Sequence, residues 1–422
     1  MTGLSATETG ILERIKQRQA DMAAQVVDWA QVNSGSRNLD GLERMRSLIA
    51  ARLHPVADTV ETVPPDDVTT LDEAGNPTPL LHGSNLLARK RIAATRRIIL
   101  TGHMDTVFPA DHAFQSCQLT EPDRLNGPGT ADMKGGLIVM IEALSALEAA
   151  GVIPDLGWDI VVNADEEVSS LGSARLLRET ARRCQIGMTF EPSVTVKGTL
   201  ASARRGSGNF LAVLTGRTAH AGRNPEDGRN AVIAAADLAL RLDGLKQTIK
   251  GLSVNVARMT GGGANNVVPD RARLSWNMRP VDHEGQHSAE EAISAIIADI
   301  QSRHEVDVAL SGSFARPPKP FDARHQALFG LVRETGADLG QTIDWQPSGG
   351  VCDGNNIAAE NVVVVDTMGV RGGAIHTEQE FMILSSMSER AALAAITILR
   401  IAQGGLDDAL ARQPDSAGAI HA

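Results

Sequence analysis

Side chains that can bind a metal ion follow three predicted strands of this sequence. His103 and Asp105 follow one apolar run, Glu166 and Glu167 a second, and Glu191 a third. Open α/β sheets bind their ligands beyond the carboxyl ends of the strands. Imidazole and carboxylate groups suit zinc, with manganese or cobalt as substitutes. The pattern therefore favours a metal centre at one edge of a sheet.

Two glycine-rich loops add residues of the same types. Asp132 lies in Gly127-Pro-Gly-Thr-Ala-Asp-Met-Lys-Gly-Gly136, where a helix should begin, and His376 lies in Gly372-Gly-Ala-Ile-His. Asp132 is open to two interpretations, a helix N-cap or a carboxylate that bridges two cations. The adjacent acids Glu166 and Glu167 are either solvated surface groups or lie beside a positive charge such as a metal pair. The joint pattern of His, Asp, Glu, Glu and His favours the metal, because chance would scatter these types.

The elements that must position these residues alternate between strand and helix. The predicted strands are Asn85–Ala88, Arg97–Gly102, Trp158–Ala164, Ile186–Phe190 and Asn361–Asp366. The predicted helices are Thr7–Val32, Gly41–Leu53, Gly135–Ala150, Gly172–Arg183, Ala327–Glu334 and Ser385–Ala402. Such alternation predicts an α/β catalytic domain with a mixed, mostly parallel sheet.

The pattern changes to βαββαβ between residues 205 and 316, which predicts a small ferredoxin-like domain. Because the α/β pattern resumes afterwards, we expect this domain to be inserted. The predicted organisation is a catalytic domain in two parts, residues 1–204 and 317–422, around an inserted domain of residues 205–316.

Composition narrows the classes of function. The 422 residues carry 51 acidic and 40 basic side chains, a net charge of −11, which argues against nucleic acid or anionic lipid as a partner. The cysteines Cys117, Cys184 and Cys352 are few and far apart, as in a reducing compartment. We find no signal peptide and no apolar run that would span a membrane. We therefore expect a cytoplasmic protein without membrane or nucleic-acid partners.

Taken together, the motifs resemble the family of di-zinc exopeptidases and amidohydrolases. That family includes glutamate carboxypeptidase, acetylornithine deacetylase, succinyl-diaminopimelate desuccinylase and aminoacylase, and the resemblance is greatest to the glutamate carboxypeptidase branch. It extends over about residues 20–404. The motifs that carry it are Thr101-Gly-His-Met-Asp-Thr-Val, Gly127-Pro-Gly-Thr-Ala-Asp-Met-Lys-Gly-Gly, Ala164-Asp-Glu-Glu, Phe190-Glu-Pro and Ile375-His-Thr-Glu.

The resemblance implies two zinc ions per subunit, for which cobalt or manganese could substitute. By that resemblance Asp132 bridges the ions, His103 and Glu191 complete one set of ligands, and Glu167 and His376 complete the other. Asp105 would accept the free imidazole N–H of His103, and Glu166 would be the general base for attack by a metal-bridging hydroxide. A cis peptide bond between Asp132 and Met133 is also implied.

The resemblance extends to the inserted domain and to the substrate. His220, in Thr218-Ala-His-Ala-Gly, matches a histidine that in dimeric members reaches the partner's active site and stabilises the oxyanion, which implies a homodimer. The predicted substrate-binding residues are Asn266, Arg279, Arg316 and Gly350. Arg279 and Arg316 suit carboxylate recognition, although either could instead form a surface ion pair. Cys352, beside the glycine-rich segment, is either a reactive thiol or a small packed side chain.

The expected function is zinc-dependent hydrolysis of the amide bond of a C-terminal, acidic, glutamate-like amino acid in a small peptide or N-acyl amino acid. An N-acyl amino acid deacylase of the acetylornithine deacetylase or aminoacylase type is the main alternative, because one site on one scaffold serves many substrates. An inactive binding or scaffold homologue is more remote, since His103, Asp132, Glu166 and the other expected site residues are all present.

Overall fold

The computed structural model describes residues 3–411 and divides into two compact units. The first unit comprises residues 3–66, Leu81–Arg204 and 320–411, and the second comprises Asp67–Leu80 and Arg205–Lys319. The structure thus groups residues 67–80, which the domain prediction assigns to the first segment, with the second unit. Residues 1–2 and 412–422, which that prediction also includes, lie outside the described residues.

Helices and strands are numbered along the chain. The helices of the described residues are α1 (Ala6–Gln17), α2 (Gln19–Ala30), α3 (Leu39–Leu53), α4 (Gly135–Ala150), α5 (Ala174–Ala181), α6 (Ala231–Thr248), α7 (His283–His304), α8 (Ala323–Asp338), α9 (Asp353–Ala358), α10 (Ser386–Ala402) and α11 (Asp407–Leu410). The strands are β1 (Thr59–Val63), β2 (Thr69–Leu71), β3 (Pro77–Pro79), β4 (Asn85–Lys90), β5 (Arg96–His103), β6 (Gln118–Glu121), β7 (Arg124–Asn126), β8 (Leu156–Asn163), β9 (Ile186–Thr189), β10 (Leu200–Arg204), β11 (Ser207–Thr215), β12 (Ser253–Gly261), β13 (Arg271–Arg279), β14 (Asp307–Arg316), β15 (Trp345–Ser348), β16 (Val363–Val365), β17 (Gly372–Gly373) and β18 (Phe381–Ile383).

A six-stranded mixed sheet forms the centre of the first unit. Its order is β1-β4-β8-β5-β9-β16, and the four strands from β8 to β16 run parallel. Along β5, Ile98 and Leu100 pack into the core on one face of the sheet, and Ile99 packs into the core on the other. Burial on both faces explains why this strand is a continuous apolar run. The predicted α/β class is confirmed, and the carboxyl ends of four parallel strands share one edge.

The second unit contains an antiparallel sheet of order β12-β13-β11-β14 with the helices α6 and α7. Residues alternate along β13, so that Leu274, Trp276 and Met278 are buried in the core that these helices also line. Trp276 stacks on Phe210 of the neighbouring strand, with ring centroids 5.3 Å apart. The predicted ferredoxin-like βαββαβ order is confirmed.

Two local predictions differ from the structure. The N-terminal segment that is predicted as one helix forms two helices, α1 and α2. Arg18 lies between them, as the C-cap of α1 and the N-cap of α2. The guanidinium of Arg18 pairs with Asp21 and Glu142. The short helix α9, which follows Cys352 directly, is not among the predicted elements. None of the helices within residues 3–411 combines the length and the apolarity that crossing a membrane requires.

Candidate metal centre

The first group of possible metal ligands brings together residues that follow two adjacent parallel strands. His103 is the last residue of β5, and Glu191 follows β9, which pairs with β5. Nε2 of His103 lies 3.1 Å from Oδ1 of Asp132 and 3.6 Å from Oε2 of Glu191. The three side chains present donor atoms that all lie within 4.8 Å of one another.

The second group uses the other oxygen of the same aspartate. Nε2 of His376 lies 3.3 Å from Oδ2 of Asp132 and 3.1 Å from Oε2 of Glu167. Glu167 lies in the turn Glu166–Val168, just beyond β8. Asp132 therefore belongs to both groups, with one carboxylate oxygen directed to each.

An irregular turn places Asp132 beside the sheet. The chain forms the turn Thr130–Lys134 before α4, and the Asp132–Met133 peptide bond is cis, as the family resemblance predicts. Gly136, in the first turn of α4, allows close approach to the loop that carries Glu191, because a Cβ there would lie 1.9 Å from the carbonyl oxygen of Phe190.

Asp105 contacts the imidazole of His103 and also the turn that carries the two glutamates. The closest contact of Nδ1 of His103 with this residue is the backbone oxygen of Asp105, at 2.9 Å, whereas the carboxylate oxygen is 3.4 Å away. The carboxylate instead accepts hydrogen bonds from the backbone amides of Glu166 and Glu167, at 3.1 and 3.2 Å, and from the hydroxyl of Ser36 at 2.7 Å. Asp105 thus fixes both the imidazole of His103 and the turn that carries the two glutamates.

The electrostatics of the cluster favour added positive charge. Burial raises the pKa of Glu191, and burial together with the charge of Asp132 raises the pKa of Glu167 to about 7. Burial acts on Asp132 in the same sense, but hydrogen bonds from His103 and His376 hold the pKa of its carboxyl well below the usual range. Hydrogen bonds to Asp132 and Glu167 raise the pKa of His376 to about 11. Burial thus opposes ionisation of Glu167 and Glu191, an effect that added positive charge would offset.

The residues present fit two divalent cations. Each group offers one imidazole nitrogen and two carboxylates, which is a donor set that zinc accepts, and each group leaves room in a four-coordinate site for water or substrate. A carboxylate that presents one oxygen to each group suits a pair of ions that share a ligand. Glu166 is buried beside Glu167 in the same turn and belongs to neither group of donors.

His220 and Asn266 lie together in the second unit. His220 forms an isolated β-bridge with Val267, and the backbone amide of Ala221 donates to the backbone oxygen of Asn266 at 2.9 Å. Both side chains are exposed, and Nδ1 of His220 accepts a hydrogen bond from the amide of Gly222. The structure thus brings these two predicted site residues into one loop pair.

The two predicted carboxylate-binding arginines lie at one end of the antiparallel sheet. Arg279 ends β13 and Arg316 ends β14, and both strands flank the start of β11. Burial lowers the pKa of Arg279, and the charges of Arg316 and Arg205 lower it further. This concentration of positive charge is suited to binding a carboxylate.

Gly350 is positioned by a buried ion pair that is not among the predicted features. Nη1 of Arg204 donates to the carbonyl oxygen of Gly350 at 3.0 Å, while its Nε donates to Asp366 at 2.8 Å. Cys352 packs against the same ion pair, with Sγ 3.8 Å from Oδ2 of Asp366. Burial raises the pKa of the Cys352 thiol, which favours the packed side chain over the reactive thiol.

Comparisons with known proteins cover most of the chain. A family model described as peptidase family M20/M25/M40 matches residues 99–400. Carboxypeptidase G2 of Pseudomonas sp. (strain RS-16) is 27% identical over 380 residues, which cover 88% of this chain and 87% of that protein. A succinyl-diaminopimelate desuccinylase of Xanthomonas oryzae pv. oryzae (strain PXO99A) is 27% identical over 322 residues, or 72% of this chain and 83% of that protein.

A solved structure shares the fold. The YXEP protein of Bacillus subtilis, described as a dinuclear metal-binding peptidase from the M20 family, matches with a TM-score of 0.63 and 14% sequence identity. The match covers 92% of this chain and 99% of that one.

Proposed function

Because the chain belongs to peptidase family M20/M25/M40, and is therefore a metallohydrolase of peptide or amide bonds, we propose that it releases a C-terminal acidic amino acid from a peptide or an N-acyl amino acid. The family resemblance predicted from the motifs is confirmed. The substrate class, the residue roles and the identity of the metal are parts of the proposal.

The proposal of an acidic substrate is based on Arg279 and Arg316. Two guanidinium groups at one end of one sheet, with Arg205 beside them, can hold two carboxylates. A C-terminal glutamate or aspartate has both an α-carboxylate and a side-chain carboxylate, and guanidinium groups bind such groups by paired hydrogen bonds. The 27% identity to carboxypeptidase G2 over most of the chain supports a carboxypeptidase.

In the proposed mechanism, His103, Asp132 and Glu191 would hold one zinc ion, and Asp132, Glu167 and His376 would hold the other. Ions bound there would supply the Lewis acidity that activates a water and polarises the scissile carbonyl.

Glu166 takes a proton from the attacking water and passes it to the departing nitrogen, so that the amide and water give a carboxylate and a free amine. Asp105 holds the turn in which Glu166 lies. Asn266 and the backbone of Gly350 bind the substrate.

His220 stabilises the oxyanion in this proposal, and it does so in the partner subunit of a homodimer formed through the second unit. The exposed position of His220 within its own unit is consistent with that role. Sedimentation of the active enzyme tests the homodimer, and an active species that sediments only as a monomer would contradict it.

An N-acyl amino acid deacylase is the second candidate. The identity to a succinyl-diaminopimelate desuccinylase supports it, because that relative matches 72% of this chain. The chemistry at the metal centre is the same for both candidates, and only the groups that bind the substrate differ.

A substrate panel separates the two candidates. The zinc-loaded enzyme and the chelated apoprotein are incubated with peptides that end in glutamate, with N-acyl glutamate and aspartate, and with N-acyl derivatives of neutral and basic amino acids. Metal-dependent release of glutamate or aspartate as the dominant reaction supports the carboxypeptidase. Preferred cleavage of neutral or basic N-acyl substrates supports the deacylase instead.

A further inference from the structure

A buried glutamate outside both groups of metal ligands organises the turn that carries Asp132. Glu380 is 1% exposed. Its carboxylate accepts hydrogen bonds from three backbone amides of that turn, those of Gly129 at 3.2 Å and of Ala131 and Asp132 at 3.0 Å each. One side chain thus fixes the backbone of Asp132 itself and of the residues immediately before it.

Asn126, which precedes this turn, also forms hydrogen bonds with the segment that contains Glu380. The side-chain amide of Asn126 donates to the backbone oxygens of Glu378 at 3.0 Å and of Glu380 at 2.7 Å. The backbone amide of Gly127 donates to the backbone oxygen of Glu380. Asn126 and Phe381 are opposite each other in the antiparallel pair of β7 and β18. Segment 126–132, which ends at Asp132, is therefore joined to segment 376–381, which begins at His376.

We propose that Glu380 is a positioning residue for the metal centre, which fixes the shared ligand Asp132 and, together with Asn126, sets its position relative to His376. This inference rests on the proposed function, because it assumes that Asp132 and His376 bind metal. Glu380 lies outside both donor groups, so that it acts only through the backbone of segment 126–132.

A carboxylate suits this role better than any similar group. Three N–H donors converge on the two oxygens of Glu380, and both oxygens act as acceptors. Glutamine has the same size but offers one acceptor oxygen, and its NH₂ group would face backbone donors. Aspartate keeps both oxygens but is shorter by one methylene group. Substitution by glutamine therefore tests the loss of an acceptor oxygen, and substitution by aspartate tests the shortening of the side chain.

The test compares Glu380→Gln and Glu380→Asp with the wild type and with Glu142→Gln. Glu142 is also buried and ion-paired, with Arg18 and Arg52, so that its variant controls for the loss of a buried charge elsewhere in the same unit. Each apoprotein is titrated with Co²⁺, and the visible absorption spectrum, the number of ions bound and their affinity are recorded. Values of kcat and KM are then measured with the preferred substrate.

We expect Glu380→Gln to weaken the binding of at least one Co²⁺ ion by about 10- to 100-fold, the range known for residues that orient metal ligands. Its Co²⁺ spectrum should change and its kcat should fall more than its KM changes. Glu380→Asp should lie between this variant and the wild type. Glu142→Gln should bind Co²⁺ as the wild type does. Wild-type Co²⁺ affinity and spectrum in folded Glu380→Gln would overturn the inference.

A second variant keeps the test decisive if Glu380→Gln does not fold. Asn126→Ala removes two hydrogen bonds between segments 126–132 and 376–381 and leaves both groups of proposed ligands intact. Weakened Co²⁺ binding supports the inference, and wild-type binding overturns it.

Measurements on the wild type separate this question from the proposed function. If the wild-type apoprotein does not bind two Co²⁺ ions, the proposed metal centre is wrong, whereas two ions bound equally by wild type and variants would contradict only the role of Glu380.

Discussion

Oδ1 of Asp105 accepts a hydrogen bond from the backbone amide of Glu166 across 3.1 Å. This bond joins the end of β5 to the turn after β8, which are neighbouring parallel strands. The proposed metal ligand His103 and the proposed base Glu166 are therefore both held by Asp105, His103 through the backbone oxygen and Glu166 through the carboxylate. The position of the base thus depends on the strand that provides the proposed ligand.

Asp105→Ala should reduce kcat/KM by about 10- to 100-fold, since residues that orient metal ligands have effects of that size. The substitution removes acceptors for the amides of Glu166 and Glu167. Steady-state kinetics with metal content measured in parallel provide the test. Ser36→Ala, which removes a single hydroxyl from the same carboxylate, should have a smaller effect, and equal effects of the two substitutions would contradict this account.

Substitution of the two adjacent glutamates should separate chemistry from metal binding. Glu166→Gln should keep both metal ions and the fold while kcat falls by about 10²- to 10⁴-fold, because general base catalysis contributes that much. Glu167→Gln should lower the metal affinity instead. Metal analysis and kinetics on both variants check the difference, and full activity in Glu166→Gln would exclude it as the base.

The positions of His103, Glu167 and Glu191 were predictable because they follow a rule of sheet geometry. The carboxyl ends of β8, β5 and β9 meet at one edge, so that residues after each strand converge, although Glu167 and His103 are far apart in the chain. The strands themselves were predictable because both of their faces are buried, which makes their sequences continuously apolar.

Other parts of the site depend on contacts for which the sequence has no periodic signal. The hydrogen bonds that Glu380 accepts connect residues about 250 positions apart, and those that Arg204 donates connect residues about 150 positions apart. Asp105 was predicted as the partner of His103, but only the loop geometry shows that its backbone oxygen lies closer than its carboxylate. The break at Arg18 was missed because both helices continue the same apolar spacing.

Substitution of Arg279 or Arg316 by Met should raise KM for substrates that end in glutamate, by about 10-fold or more each, since a charge-assisted hydrogen bond contributes about 1.5–3 kcal/mol. Metal content should not change. Arg258→Met is the matched control, because Arg258 is an exposed arginine of the same sheet. Unchanged KM in both Arg279→Met and Arg316→Met would show that other residues bind the carboxylates.

Acid should weaken the cap of α8. Burial raises the pKa of Asp322, but hydrogen bonds from His325 and the charge of Arg324 outweigh burial and hold the pKa of this carboxyl well below its usual range. A carboxyl whose pKa is depressed in the folded state stabilises the protein above the unfolded pKa, about 3.9 for aspartate, and loses this contribution as the pH falls through the folded value.

Asp322→Asn keeps an acceptor for the backbone amides of Arg324 and His325 but removes the charge. The variant should therefore be less stable than the wild type at pH 7, and this difference should shrink as the pH falls below about 4. Thermal unfolding across that range measures it. A difference that is constant with pH would contradict the assignment.

Loss of the Asp366 carboxylate should destabilise the first unit. Asp366→Ala leaves the guanidinium of Arg204 buried without that carboxylate, which should cost about 3–5 kcal/mol. Ser348→Ala, which removes only a 3.4 Å contact of the same guanidinium, should cost much less. Urea unfolding of both variants provides the comparison, and similar stability of the two would contradict the importance of the ion pair.

The most direct test of the two-metal site is the hydrolysis rate measured while the apoprotein is titrated with Zn²⁺. For the wild type, we expect the rate of amino acid release to reach its maximum at about two equivalents, because Asp132 presents one oxygen to each group of proposed ligands. Asp132→Ala should remain inactive throughout the titration. Full activity in the metal-free protein, or in Asp132→Ala, would contradict the account.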